Sequence, residues 1–356
     1  VRSPRRFVPT LLAAGVLAGL VAPSLAQPVE QPVRNDPCQP AATGDDARID
    51  RIRRGVAGRV CGAARWFDGL FGDAREHTDA YGSSYGRLGA ALNWDELDDA
   101  QLQGRFRARL ALPALGERFN AEIGRDDRET YVDDSYDAAA FLPGSFSDDR
   151  YAQWRAGVDY LARSQSRSVF DIGAGLELDT PLNPYVRARL RYFLAPGERV
   201  LMTLRGTGFW ENEQGVGVTL GADADWSLGD RLLLRFAQTA TVSEITEGVR
   251  WRSRLSLYQA LDARSALRYE ASIQGQTDGV QPDYRGLRLT YRRSVLREWL
   301  FLELSGRIFS ADDRDPARRC RDCVGASVGF EMLFGAKYDR WLAMPASDGT
   351  ADESRR

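Results

Sequence analysis

Between residues 102 and 112 the chain reads Leu-Gln-Gly-Arg-Phe-Arg-Ala-Arg-Leu-Ala-Leu, and the alternation within this stretch decides the fold. Leu102, Gly104, Phe106, Ala108, Leu110 and Leu112 share one side of an extended chain, while Gln103, Arg105, Arg107 and Arg109 share the other. Successive side chains of a β-strand point to opposite faces, so this segment is a strand with one apolar and one basic surface.

The same period runs outward in both directions, from about Tyr85 to Phe334, in segments of roughly ten residues separated by turn chemistry. Trp154, Ala156, Val158 and Tyr160 alternate with Gln153, Arg155 and Asp159, and Val186, Ala188, Leu190 and Tyr192 interleave with Arg187, Arg189 and Arg191. Fourteen strands are expected, beginning near residues 85, 102, 118, 151, 169, 185, 199, 215, 231, 248, 265, 284, 298 and 323. Every second connection is short: Pro113 to Gly116, Arg163 to Ser168, Ala195 to Glu198, Ser227 to Asp230 and Leu261 to Ser265. The long acidic stretch Asp126 to Arg150 and the cysteine-bearing stretch Ala311 to Arg321 fall on the opposite side. An even strand number with short turns on one side and longer loops on the other predicts an all-β, antiparallel transmembrane β-barrel, with both barrel termini in the periplasm.

A soluble β-sandwich also alternates, its apolar face forming a core. Long, uniform strands argue against it, as do aromatics near strand ends at Trp94, Trp210, Trp226, Trp251 and Trp299, where membrane interfaces place them.

The N-terminal residues Arg2, Arg5 and Arg6, the apolar run Val8 to Val21 and the triplet Ser24-Leu25-Ala26 read as a secretory signal over residues 1–26. The run is shorter than the ~20 residues a spanning helix needs. Removing three positive charges takes the formal net charge from -2 to about -5, which excludes a nucleic-acid partner on charge grounds. Residues 27–80 form a periplasmic segment, polar and proline-rich to about Ala42, then with Ile49, Ile52, Val56, Val60, Ala63 and Leu70 at helical spacing. This short amphipathic helix is capped by Asp45 or Asp46. The barrel occupies residues 81–335 and a polar tail residues 336–356.

Ser327-Val328-Gly329-Phe330-Glu331-Met332-Leu333-Phe334 resembles the C-terminal assembly signal of bacterial outer-membrane β-barrels. The resemblance implies an outer-membrane location, contact with outer-membrane lipids and handling by the barrel-assembly machinery. The pattern departs from its usual form in that the tail follows the final aromatic.

Four cysteines, Cys38, Cys61, Cys320 and Cys323, form an even set in an exported chain and are expected to pair as disulfides, Cys38 with Cys61 and Cys320 with Cys323. Cys320-Arg321-Asp322-Cys323 has metal-site spacing but no second such pair and no nearby histidine, so no metal is expected, and no cofactor. An enzyme is not expected either. His77 is the sole histidine and precedes the first strand, and Gly82-Ser83-Ser84-Tyr85-Gly86 copies a nucleophile elbow without its strand-to-helix setting.

Arginine on the polar face is the informative pattern. Arg105, Arg107 and Arg109, then Arg187, Arg189 and Arg191, then Arg250, Arg252 and Arg254 form three ladders, with Arg288 and Arg292 a shorter fourth. Carboxylates on neighbouring strands, among them Glu122, Asp171, Glu177, Asp179, Glu270 and Glu303, are available for pairing across the wall. By face assignment the lumen keeps an excess of about seven positive charges, which concentrates anions. The charge pattern is similar to that of porins for acidic oligosaccharides, though no motif aligns. Two functions follow: a porin-like passive channel favouring small anionic solutes, or a closed, non-conducting barrel serving as an envelope scaffold or assembly partner.

Overall fold

The computed structural model describes residues 84–335 except 114, 117, 127–152, 166, 179, 198, 230, 247, 278–281 and 313–318. The signal segment, the amphipathic helix, Cys38, Cys61, His77, Asp179 and the polar tail lie outside the described residues.

Fourteen strands follow in chain order: β1 (Tyr85–Asp95), β2 (Asp99–Ala111), β3 (Phe119–Asp126), β4 (Gln153–Ser164), β5 (Ser168–Glu177), β6 (Asn183–Gly197), β7 (Val200–Glu211), β8 (Gly215–Gly229), β9 (Leu232–Ser243), β10 (Arg250–Asp262), β11 (Ser265–Gln276), β12 (Tyr284–Ser294), β13 (Leu300–Ala311) and β14 (Cys320–Gly335). Each expected start lies within three residues of the observed one. The largest shifts are at β2 and β14. Pairing with β1 extends β2 back to Asp99, opposite Asp95, beyond the apolar alternation, and β14 begins with an irregular register opposite Ala311.

Each strand pairs antiparallel with its neighbours in sequence, and β1 also pairs with β14, from Tyr85 opposite Gly335 to Asp95 opposite Gly325. The sheet therefore closes and leaves no edge, the condition for placing a β-structure in lipid, where unpaired backbone groups are prohibitively costly. Closure rests on local packing at β14. Phe334, only 1% exposed, lies over Gly86, its register partner on β1, and joins a cluster with Trp299, Leu300 and Met332. Trp299, expected in the exposed interface belt, is thus buried, because the β12–β13 turn folds its ring onto the end of β14.

The apolar face of every strand points outward. Leu88, Leu92, Leu190, Leu220, Leu287 and Phe330 are among the large hydrophobics left exposed on the outer wall, and Trp94, Trp154 and Trp210 stand exposed near one rim. Polar residues on this face are few. Gln238 and Ser253, cross-strand partners on β9 and β10, satisfy each other through a Ser253 hydroxyl donating to the Gln238 carbonyl. A closed sheet with an apolar exterior and a charged interior is built to span a membrane.

The termini of the barrel, Tyr85 and Gly335, share one rim, with the β2–β3, β4–β5, β6–β7, β8–β9, β10–β11 and β12–β13 turns. The connections from Asp126 to Gln153 and from Ala311 to Cys320 join strand ends on the opposite rim.

Candidate functional site: an arginine-lined lumen

All four arginine ladders occupy the inward face. Arg105, Arg107 and Arg109 on β2 stand opposite Gly89, Arg87 and Tyr85 of β1. Arg187, Arg189 and Arg191 on β6 stand opposite Gly173, Asp171 and Val169 of β5. Arg250, Arg252 and Arg254 on β10 stand between Thr241, Thr239 and Ala237 of β9 and Gln276, Gln274 and Ser272 of β11. Arg288 and Arg292 on β12 face Arg307 and Glu303 of β13.

Shared orientation does not give these ladders a shared environment. Along β2 to β7 most of the inward guanidinium groups are held in ion pairs, with Arg109 and Arg191 only partly buried. Arg187 reaches across β5 to Asp159 of β4, its Nη2 donating to both carboxylate oxygens at 2.9 Å, and also approaches Glu122 at 3.7 Å. Arg107 closes on the same Glu122. Arg189 donates to Asp171 from Nη2 at 2.9 Å, and Arg191 shares that carboxylate at 3.3 Å. Nearer the rim opposite the barrel termini, Arg155 lies 3.4 Å from Glu177 and 3.7 Å from Glu211, while Asn183 donates to both carboxylates. Arg187 and Arg189 are 2% and 1% exposed. Charges this far from water are tolerable only when paired, so this half of the lumen wall is a polar core.

The wall around β12 to β14 is sealed in the same way. Arg292 bridges Glu303 at 3.1 Å and Glu331 at 2.8 Å, Arg105 approaches Glu331 at 3.7 Å, and Arg307 pairs with Asp95.

Inward glycines make these cross-wall pairs possible, and alternation alone did not reveal them. Gly173 lies in one register row with Asp159 and Arg187, and a Cβ there would collide with Asp159 Oδ1. Gly325 stands in the same relation to Arg307 and Asp95, with a Cβ 2.9 Å from Arg307 Nε and 2.9 Å from the Asp95 Cβ. In each case the middle strand offers a slot through which a long cation and a short carboxylate meet across two strand spacings. A glycine flanked on both neighbouring strands by opposite charges is the sequence signal for such a slot, but it becomes readable only once the register is known.

The β9–β10 wall is different. Between Leu233 and Ser243 of β9, and between Arg250 and Tyr258 of β10, the sequence holds no carboxylate. Arg235, Thr239, Thr241, Arg250, Arg252 and Arg254 are all only partly buried, and the Arg254 side chain is 34% exposed. Arg252 donates from Nε to Gln274 Oε1 at 2.8 Å, a neutral partner. Lower down, Arg254, Arg268 and Arg288 share Glu270 at 3.7, 3.4 and 3.5 Å, three cations on one carboxylate. Arg235 is bound by Asp225 at 2.6 and 3.0 Å. Solvent reaches this strip of the wall, whose side chains are only partly buried.

Ser84 is buried at the entry to β1 and its hydroxyl accepts the Ala111 N–H at 3.2 Å, a strand-end contact. Cys320 and Cys323 lie at disulfide distance from each other at the start of β14.

No protein-family model matches the chain, and no curated protein matches it. Among solved structures, the outer-membrane channel DcaP of Acinetobacter baumannii is similar at 10% identity and a TM-score of 0.44, covering 70% of this chain and 96% of its own. OprB of Pseudomonas putida is similar at 12% identity and a TM-score of 0.43, covering 73% of this chain and 95% of its own. The outer-membrane protein OmpT of Vibrio cholerae is similar at 12% identity and a TM-score of 0.42, covering 70% of this chain and 96% of its own. The closed fourteen-strand ladder, the apolar outer wall and the charged interior carry the classification by themselves: the chain is an antiparallel β-barrel of the membrane-spanning kind.

Proposed function

We propose that the barrel is a passive channel whose conducting path runs along the β8–β11 wall and favours small anionic solutes. One observation supports this above the others: Arg250, Arg252 and Arg254 share a partly exposed strip in which residues 233–243 of β9 and 250–258 of β10 include no carboxylate. The remaining ladders, Arg105 to Arg109, Arg187 to Arg191, and Arg288 with Arg292, narrow the lumen and hold its shape. Guanidinium groups along a narrow aqueous path lower the barrier for anions and raise it for cations. Thr239, Thr241, Ser272 and Gln274 supply neutral hydrogen-bonding groups that replace part of a solute's hydration along the same path.

The test is conductance of the purified protein in planar bilayers under a salt gradient, where the reversal potential should report anion preference. That preference should fade in concentrated salt as the Debye length falls from ~10 Å at 0.1 M.

A second reading, a closed barrel acting as envelope scaffold or assembly partner, is favoured by the sealed networks around Arg187 and Arg292, since fully paired polar networks can fill a lumen. Absence of any conductance, including after deletion of residues 27–80, would leave that reading in place of the channel. In either case lipids surround the outer wall, and insertion by the barrel-assembly machinery is expected from the Ser327 to Phe334 stretch.

A further inference from the structure

We propose that the extracellular rim carries a redox-gated site for a thiophilic divalent cation, built from Cys320, Cys323 and Glu96. The cysteine pair alone offered too few ligands for a metal centre. Folding adds a third from the far end of the barrel sequence. Glu96, in the β1–β2 turn, is brought against the first residues of β14, and its carboxylate and the two sulfurs all lie within 4.8 Å of one another.

The rim holds these groups in place by backbone contacts on both sides. The Glu96 N–H donates to the Val324 carbonyl at 3.3 Å, and the Val324 N–H donates back to Glu96 Oε2 at 3.1 Å, so the carboxylate is fixed beside the residue that follows Cys323. Asp322 has a φ of 57°, a conformation that turns the short Cys-Arg-Asp-Cys segment back on itself. It is pinned there by Ser310 of β13, whose hydroxyl accepts the Asp322 N–H at 3.2 Å and donates to its carboxylate at 3.3 Å. Both sulfurs are thereby held near the Glu96 carboxylate.

Chemistry fixes the class of ligand. Two thiolates and one carboxylate are a soft-to-borderline donor set that selects Zn²⁺ or Cd²⁺ over Mg²⁺ or Ca²⁺, and three protein ligands leave a fourth position for water. The disulfide has no thiolate to offer, so the oxidised rim does not bind. An external thiol or phosphine delivers two electrons, and with two protons the S–S bond becomes two thiols while the reductant is oxidised. Metal binding then forms two metal–sulfur bonds and one metal–oxygen bond and releases the two thiol protons to solvent.

The experiment uses the full chain carrying Cys38→Ser and Cys61→Ser, folded in detergent, with Cd²⁺ as the probe and the ultraviolet sulfur-to-cadmium charge-transfer band as the readout. Phosphine-reduced protein should develop the band and saturate at one Cd²⁺ per barrel. The oxidised protein, and reduced protein alkylated before addition of Cd²⁺, should show none. Glu96→Gln should weaken the affinity roughly tenfold or more and Glu96→Asp less, with heat-modifiable gel migration confirming a folded barrel in each. No band in the reduced protein, or an affinity unchanged in Glu96→Gln, would overturn the site.

Discussion

Arg187 of β6 and Asp159 of β4 form a two-pronged hydrogen bond at 2.9 Å although β5 lies between them, and they meet over Gly173. The pair is sealed from water, so the gap left by one absent side chain decides whether two buried charges are compensated. Replacing Gly173 by alanine should therefore separate them. A stability loss of ~3–5 kcal/mol is expected, the cost of breaking a buried pair. Gly208→Ala, on the outer face with nothing within 4 Å of its added methyl, is the control and should change stability by about 0.5 kcal/mol or less. Urea unfolding of both variants in lipid vesicles measures the difference.

The two arginine environments should respond oppositely to neutralisation. Arg250, Arg252 and Arg254 changed together to glutamine should shift the bilayer reversal potential toward non-selectivity at a stability cost of about 1 kcal/mol or less, because these groups are partly solvated. Arg187 and Arg189 changed to glutamine should cost ~3–5 kcal/mol, since Asp159 and Asp171 lose buried partners, while altering selectivity less. Equal loss of selectivity in both variants would argue against a path along the β8–β11 wall.

Barrel closure should depend on the last aromatic. Phe334→Ala empties the space over Gly86 and removes contacts to Trp299 and Met332, a change expected to cost ~3–5 kcal/mol. The folded, heat-modifiable fraction recovered from membranes should fall, whereas Phe330→Ala, at an exposed lipid-facing position on the same strand, should reduce it less.

Topology can be checked at the rims directly. In a chain freed of its native cysteines, cysteine at Glu213, in the β7–β8 turn, should react with a membrane-impermeant maleimide on intact cells. Cysteine at Arg264, in the β10–β11 turn, should react only after the outer membrane is opened. The reverse pattern would invert the barrel.

Alternation in segments such as 102–112 determined the architecture from the sequence alone, because in a closed sheet bathed by lipid outside and polar groups inside every residue must choose a face, and the period of two records that choice. Strand number, the rim of each connection and the inward placement of all four arginine ladders followed from it. The environment of each ladder could not be read this way. Arg187 and Arg252 look alike in sequence, yet one lies against Asp159 through a glycine slot and the other beside Gln274 and Thr239 in a partly open strip. Pairing depends on register between strands tens of residues apart, and on which side chains are absent between them. Glu96 and the Cys320–Cys323 pair show the same limit at longer range: only closure of β1 onto β14 brings the carboxylate and the two sulfurs within 4.8 Å of one another.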